Sequence, residues 1–239
     1  MLHEFRKKIH LYSTLSPANE NTFEWLALLQ HYGGATRLLD FSESIYVAAY
    51  FSILNSSDDS AIWAINRPLL RDNLCKFAEL PYKHGEVLKD KVNDIHIDLF
   101  NKFVARIHRV DSDGNLPHLV PLESSLLFDR ASRQRSLFLG AGYLGSAEEP
   151  FSFMDNLRAS FPGIASELEA PKHISVNDLC KRPLNDPCYK QFAALKINIP
   201  KCLHSQLRLE LALMGLTEES LFPGLDGLSR SLVQGHIFI

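Results

Sequence analysis

The residues most able to do chemistry in this chain stand close together, in the segment QHYGGATRLLDFSES at positions 30–44. Arg37 and Asp40 lie three residues apart there, and they follow His31 and a Gly-Gly pair. The planar guanidinium of an arginine binds a phosphate or a carboxylate through two parallel hydrogen bonds. The segment therefore predicts an anion site, on the condition that Arg37 faces a cleft.

The same residues also have a purely structural interpretation. Arg37 and Asp40 would then form a partly buried ion pair that fixes the loop. Such a pair is weak evidence of a stabilising interaction, because the cost of removing both charges from water can exceed their attraction. His31 would bond a backbone carbonyl at the end of a helix, where its cation is favoured by the helix dipole. Ser42 and Ser44 lie where a second helix is expected to begin, and helix N-termini favour anions. The residue types alone leave both interpretations open.

A second group of polar residues lies in the segment DRASRQRSLFL at positions 129–139. Arg130 and Arg133 are three residues apart and share one face of a helix, while Arg130 and Gln134 are four apart and would point together into a site. The alternative is a solvated basic turn, which is the interpretation that we prefer for Arg135.

The elements that would position these residues follow from hydrophobic spacing and from capping residues. Asn21, with Glu24 three residues later, predicts the start of a helix that the Gly-Gly pair ends. Ser42 or Ser44 is expected to cap a nearly all-apolar helix, IYVAAYFSIL. Further strands are predicted at 61–66, 118–122, 136–142 and 192–200, and further helices over 87–107, over 130–135, from Leu203 to Gly215 and near the C-terminus, with irregular segments and short helices over 145–190. The pattern predicts one mixed α+β domain over residues 1–239.

Composition narrows the classes of function. Apolar residues make up 46% and charged residues 22% of the 239 residues, which is typical of a globular domain. A net charge of −3 gives no overall electrostatic footprint for nucleic acid or for an anionic membrane. No apolar run approaches the roughly 20 residues that span a bilayer, so we expect a cytoplasmic protein with no membrane partner. The scattered cysteines predict no metal site, and the common nucleotide-binding glycine loops are absent from the sequence.

The segment EWLALLQHYGGATRLLDFSESIYVAAYFS resembles the central signature of FRG domains. The matching positions are Gln30, His31, Tyr32, Gly33, Thr36, Arg37, Leu38, Leu39 and Asp40. Ala35 and Ile45 stand where the family has prolines, and Phe41 stands where it has tryptophan. Two later segments, which include Arg130, Gln134 and the ending LFPGLDGL, extend the resemblance over most of residues 20–232. The N-terminal Phe-Arg-Gly stretch that names the family has no counterpart, so we expect that element to be absent from this chain.

The order of the elements is also similar, more weakly, to that of ADP-ribosyltransferases. In those enzymes a strand bearing serines runs into an apolar helix, as in LLDFSESIYVAAYFS. The resemblance implies a split sheet flanked by helices, with NAD as substrate and a catalytic group of Arg37, Asp40 and Gln134. Because Gln134 stands where that family has a glutamate, Asp40 or Glu43 would have to supply the carboxylate that stabilises the transition state.

Three functions remain as hypotheses. The first is an NAD-dependent ADP-ribosyltransferase-like enzyme or effector, such as a prokaryotic defence protein or toxin, that modifies a protein or a nucleic acid. The second is a binding module that recognises a nucleotide or a phosphorylated ligand without turnover. Its ligand-binding residues would be His31, Thr36, Arg37, Ser42 and Arg130. The third is a structural role, in which the Arg37–Asp40 pair only fixes the loop.

Overall fold

The computed structural model describes residues 1–79, 89–106, 118–125, 129–146, 148–162 and 192–235. Helices and strands are mixed along the chain, so the predicted α+β class is confirmed. The elements are α1 Leu2–Lys8, α2 Thr22–His31, β1 Leu38–Ser42, α3 Ile45–Ile53, β2 Ser60–Ile65, α4 Arg67–Phe77, α5 Lys89–Arg106, β3 Leu119–Leu122, α6 Asp129–Gln134, β4 Ser136–Ala141, α7 Phe153–Ser160, β5 Ala194–Ile199, α8 His204–Leu213, α9 Glu218–Leu221 and α10 Leu225–Gly235.

The strands form two small sheets, one of three strands in the order β1-β4-β3 and one of two strands, β2-β5. Strands β3 and β4 are antiparallel, with Leu119 opposite Ala141 and Leu122 opposite Phe138. Every residue of β3 is buried, as expected of a strand covered on both faces. The finer prediction of a split sheet like that of ADP-ribosyltransferases stays a prediction.

Contacts between Cα atoms divide the chain into two compact units. Unit 1 consists of Met1–Leu39, Ile65–Ser124 and Phe138–Ala194, and unit 2 consists of Asp40–Ala64, Ser125–Leu137 and Leu195–Ile239. The chain passes from one unit to the other within β1 and again within β4. The predicted single domain over residues 1–239 stays a prediction.

The core of unit 1 is built around α2, whose residues from Phe23 to Leu29 are all buried. The ring of Phe23 makes edge-to-face contacts with Phe100 of α5, at a centroid distance of 6.3 Å, and with Phe138 of β4, at 5.9 Å. The predicted cap is confirmed, because the Asn21 side chain accepts a hydrogen bond from the backbone N–H of Glu24. These contacts fix α2, and α2 leads directly into the segment that carries Arg37.

The core of unit 2 is built around α3, which packs its apolar residues against α8 and the two-stranded sheet. Of the two serines expected to cap this helix, Ser44 does so, by accepting a hydrogen bond from the backbone N–H of Val47. The apolar positions Val47, Tyr50 and Ile53 are buried against residues such as Leu211, as the apolar sequence of the helix predicts.

The other predicted elements are found within one or two residues of their expected bounds where the structure describes them. Residues 87, 88, 107, 147 and 163–190 of the predicted segments lie outside the described residues. Helix α4 was missed, although its signals are present: Asn66 caps it, Pro68 lies in its first turn, and Leu70 and Leu74 are buried one turn apart. Within the described ranges no helix is long and apolar enough to cross a membrane.

Candidate functional site

The loop that carries Arg37 begins where α2 ends in a Schellman motif. The backbone N–H of Gly33 donates to the carbonyl of Gln30 at 2.9 Å, and the N–H of Gly34 donates to the carbonyl of Leu29 at 2.9 Å. Gly33 has a φ of 85°, which favours glycine, and a Cβ on Gly34 would overlap the side chain of Leu29. The Gly-Gly pair is therefore explained by backbone geometry.

Thr36 fixes the far end of this loop. Its hydroxyl forms a short hydrogen bond with Oε1 of Gln30, and it accepts a hydrogen bond from the backbone N–H of Leu38 at 3.0 Å. The helix end and the first residue of β1 are thus connected through one side chain. Thr36 positions the neighbouring residue, Arg37. The ring of His31 makes an edge-to-face contact with the ring of Tyr32 at 5.0 Å.

Arg37 is partly buried, and one of its guanidinium nitrogens has no hydrogen-bond partner among the described residues. No described residue supplies a hydrogen-bond partner to its Nη1, which is shielded from solvent. Burial lowers the pKa of its guanidinium below the usual value. A buried donor without an acceptor destabilises the folded state, and the cost is larger for a charged group. Arg6, also in unit 1, has a buried Nε without a described partner as well, but its Nη2 donates to the Thr22 hydroxyl at 3.4 Å and its guanidinium carbon lies 5.2 Å from the centroid of the Trp25 ring.

In unit 2 the side chain of Gln134 is buried and already bonded. Its Nε2 donates to the backbone carbonyl of Leu221 at 3.1 Å, which attaches α6 to the end of α9. The backbone carbonyl of Gln134 accepts a hydrogen bond from the Ser42 hydroxyl at 2.7 Å. Gln134 and Ser42 therefore have structural partners within their own unit, and the catalytic role expected for Gln134 stays a prediction.

The two acids expected to serve as a catalytic carboxylate, Asp40 and Glu43, are both exposed. Glu43 lies 3.7 Å from Nη2 of Arg135, in an exposed ion pair that contributes little to stability. Arg37 is in unit 1 and Asp40 is in unit 2. The predicted Arg37–Asp40 ion pair therefore stays a prediction.

Arg130 and Arg133 both contact the segment around the end of α9. The guanidinium carbon of Arg130 lies 4.6 Å from the centroid of the Phe222 ring, and Nη1 of Arg133 donates to the carbonyl of Ser220 at 3.4 Å. The prediction that they share one face of α6 agrees with these contacts.

The residues expected to form the site thus divide between the two units. Unit 1 holds His31, Thr36 and Arg37, and unit 2 holds Asp40, Ser42, Arg130 and Gln134. Within the second group, the hydrogen bond from the Ser42 hydroxyl to the backbone carbonyl of Gln134 brings two of these residues together. The prediction that His31, Arg37, Asp40, Arg130 and Gln134 line one cleft stays a prediction.

Three histidines that the sequence did not single out, His96, His118 and His204, are buried. His96 is fully buried with its Nδ1 3.2 Å from the carbonyl of Pro121, and burial, reinforced by the positive charge of Arg71, lowers its pKa to about 4. The Nε2 of His204 lies 3.2 Å from the Ser60 hydroxyl and 3.4 Å from the carbonyl of Ile199.

A carbonyl only accepts hydrogen bonds, so the bond to Ile199 requires a proton on Nε2 of His204. In that tautomer Nε2 is a donor, and the Ser60 hydroxyl is placed to accept from it. The part of the chain that the structure describes contains no group of three or more His, Cys, Asp or Glu residues able to hold a metal ion.

A comparison with protein-family models identifies one family. Residues 1–61 match the model of the FRG domain, a range that includes the whole QHYGGATRLLD segment and α3. The match confirms the resemblance found in the sequence for residues 1–61, about a quarter of the chain. The resemblance over residues 62–232 stays a prediction. No curated protein and no solved structure shows a significant match to the chain.

Proposed function

We propose that this FRG-domain chain binds a phosphate-bearing ligand of the nucleotide class, with the guanidinium of Arg37 as its principal anchor. The observation that carries the proposal is the buried Nη1 of Arg37, for which no described residue is a hydrogen-bond partner. An arginine side chain stays protonated at neutral pH even when burial lowers its pKa. A bound phosphate oxygen would accept the unused hydrogen bond and neutralise the charge.

The local structure supports binding because it holds Arg37 in a defined place. The Schellman motif at Gly33 and Gly34 fixes one end of the loop, and the hydroxyl of Thr36 fixes the other. A binding group that is ordered before the ligand arrives loses less conformational entropy on association. Binding needs no catalytic group. The hydrogen bond that Gln134 already donates to the Leu221 carbonyl therefore does not weaken this proposal.

A second candidate function is NAD-dependent transfer of ADP-ribose. The observation that favours it is the order of the elements: β1 ends at Ser42 and is followed by the apolar helix α3, capped by Ser44. NAD carries a diphosphate and belongs to the ligand class proposed above. Turnover would in addition require a carboxylate, and the exposed side chain of Asp40 or Glu43 would have to supply it.

Isothermal titration with ADP-ribose, NAD and ATP tests the binding proposal, with adenosine as the ligand that lacks phosphate. We expect the phosphate-bearing ligands to bind and adenosine not to bind. The variant Arg37→Gln should weaken binding by about tenfold or more, since a hydrogen bond to a charged group contributes about 1.5–3 kcal/mol. The matched variant Arg6→Gln removes another partly buried arginine of unit 1 and should leave the Kd unchanged.

Chromatography of NAD after incubation with the protein separates the two candidates. If NAD binds but stays intact, the chain is a binding module. If NAD is consumed and the variants Asp40→Asn and Arg37→Gln both abolish that loss, the transferase function is supported. The proposal fails if no phosphate-bearing ligand binds, or if Arg37→Gln binds as tightly as the unaltered chain.

A further inference from the structure

An aromatic pair lies near the Arg37 loop, at one end of the three-stranded sheet within unit 1. The backbone N–H of Ala141, the last residue of β4, donates to the carbonyl of Arg37 at 3.5 Å. The ladder between β3 and β4 continues one residue further, because the N–H of Gly142 donates to the carbonyl of His118 at 2.9 Å. Tyr143 follows directly, so its Cα atom lies about 10 Å from that of Arg37.

The backbone of Tyr143 is held by a buried asparagine of α7. Asn156 is fully buried, its Oδ1 accepts from the Tyr143 N–H at 3.2 Å, and its Nδ2 donates to the Tyr143 carbonyl at 2.8 Å. The amide thus bonds both backbone groups of one residue, as a neighbouring strand would. The ring of Tyr143 is therefore attached to an ordered backbone, which lowers the entropy lost when a ligand binds.

A short hairpin brings a second ring against that of Tyr143. The backbone N–H of Phe151 donates to the carbonyl of Leu144 at 2.9 Å, and Gly145 pairs with Pro150 in an antiparallel bridge. The centroids of the Tyr143 and Phe151 rings are 5.2 Å apart, and the ring planes are tilted by 50°. Both residues are partly exposed, so the pair offers aromatic surface to a ligand.

The carboxylates near this ring pair leave room for a neutral aromatic group. Glu148 and Glu149 lie in the turn of the hairpin, beyond the bridge and at the end away from the two rings. The carboxylate of Asp155 pairs with the guanidinium of Arg158 at 3.0 Å. A nucleobase carries no charge at neutral pH, so these acids do not repel it, and the phosphate of the same ligand would lie at Arg37.

We infer that the rings of Tyr143 and Phe151 bind the base of a nucleotide whose phosphate is held by Arg37. The inference rests on the proposed function and narrows its ligand class to nucleotides that carry a base, as opposed to sugar phosphates. Aromatic side chains stack on the flat face that every base presents, so one ring pair accepts different bases. The ribose spans the distance between the ring pair and the guanidinium.

Isothermal titration with AMP and with ribose 5-phosphate tests the inference, because these two ligands share the phosphate and the ribose and differ by the base. Stacking of one base on an aromatic side chain strengthens binding by about fivefold to about 150-fold. We therefore expect AMP to bind at least about fivefold more tightly than ribose 5-phosphate. UMP should show the same preference over ribose 5-phosphate, since its base also has a flat face.

Substitutions of Tyr143 separate a base contact from a structural role. Tyr143→Leu keeps apolar bulk and removes the ring face, so it should weaken AMP binding at least about fivefold and leave the Kd of ribose 5-phosphate unchanged. Unchanged binding of ribose 5-phosphate also shows that the variant is folded. Tyr143→Phe keeps the ring and should bind AMP as the unaltered chain does. The control is Tyr12→Leu, which replaces a tyrosine of unit 1 that is 86% exposed, and it should change neither Kd.

The inference is overturned if AMP and ribose 5-phosphate bind equally tightly, or if Tyr143→Leu weakens both ligands by the same factor. In either case the proposed function still holds, provided that Arg37→Gln weakens both ligands. If neither ligand binds, the proposed function fails and the inference fails with it. If AMP binding is lost in Tyr143→Leu but unchanged in Arg37→Gln, the contact with the base is supported and the anchor at Arg37 is refuted.

Discussion

Replacing Arg37 with methionine should stabilise the chain in the absence of ligand. Methionine is unbranched and apolar, and it adapts to irregular space, so it can fill much of the volume of the arginine stem. The substitution removes a buried donor for which no described residue is a partner. The structural interpretation of the Arg37–Asp40 pair predicts the opposite sign, because a variant that lacks one partner of an ion pair is less stable.

The size of the effect follows from the burial of this one group. A buried hydrogen-bonding group left without a partner costs about 1–3 kcal/mol. Arg37 is partly rather than fully buried, so the lower half of that range applies. We expect the free energy of unfolding to rise by about 1–2 kcal/mol, which corresponds to a melting temperature higher by about 2–8 °C for a chain of this length.

Urea unfolding of the ligand-free protein, followed by fluorescence of its tryptophans, measures this change as a shift of the midpoint at constant slope. The matched control is Arg6→Met, which also removes a buried donor without a described partner, its Nε, but in addition loses the hydrogen bond to Thr22 and the contact with Trp25, so it should be less stable than the unaltered chain. A midpoint that falls in Arg37→Met as it does in Arg6→Met would refute the reasoning. In the presence of ADP-ribose the unaltered chain should become more stable than Arg37→Met, because the ligand stabilises only a chain that binds it.

Three further outcomes are expected from unfolding measurements. The folded-state pKa of His96 is about 4 against an ordinary value of 6.5, so the unfolded state takes up the proton first and stability falls as the pH drops from about 6.5 toward 4. Between pH 7 and pH 4.5 the loss due to this residue is about 2 kcal/mol, and His96→Phe should lack it. Gly34→Ala should lower stability by about 1–3 kcal/mol because its Cβ meets Leu29; equal stability would contradict this close packing of Gly34 against Leu29. Gln134→Leu should lower stability by about 1–2 kcal/mol, since it leaves the Leu221 carbonyl unbonded, and it should not change ligand binding.

Sequence alone predicted the features that depend on neighbouring residues. Asn21 and Ser44 cap helices because a side-chain oxygen reaches an N–H three residues ahead, and Gly33 ends α2 because it adopts a positive φ. Both kinds of signal are complete within one or two turns of the chain. Arg37 could be placed immediately before β1 for the same reason, because neighbouring residues set both the end of α2 and the start of the strand. Helix α4 was missed although its cap, Asn66, is equally local.

Only the tertiary structure decided which polar side chains have partners. Gln134 and Arg37 were both expected to serve a site, yet the amide of Gln134 binds the carbonyl of Leu221, far along the chain, and Nη1 of Arg37 is buried without a described partner. Arg130 and Arg230 meet at Phe222 from positions about a hundred residues apart, a proximity that no periodic pattern encodes. Hydrogen-bond satisfaction and burial depend on distant segments packing together, so they are properties of the fold. The sequence determined the positions of the charged groups along the chain, and packing determined which of them have a hydrogen-bond partner among the described residues.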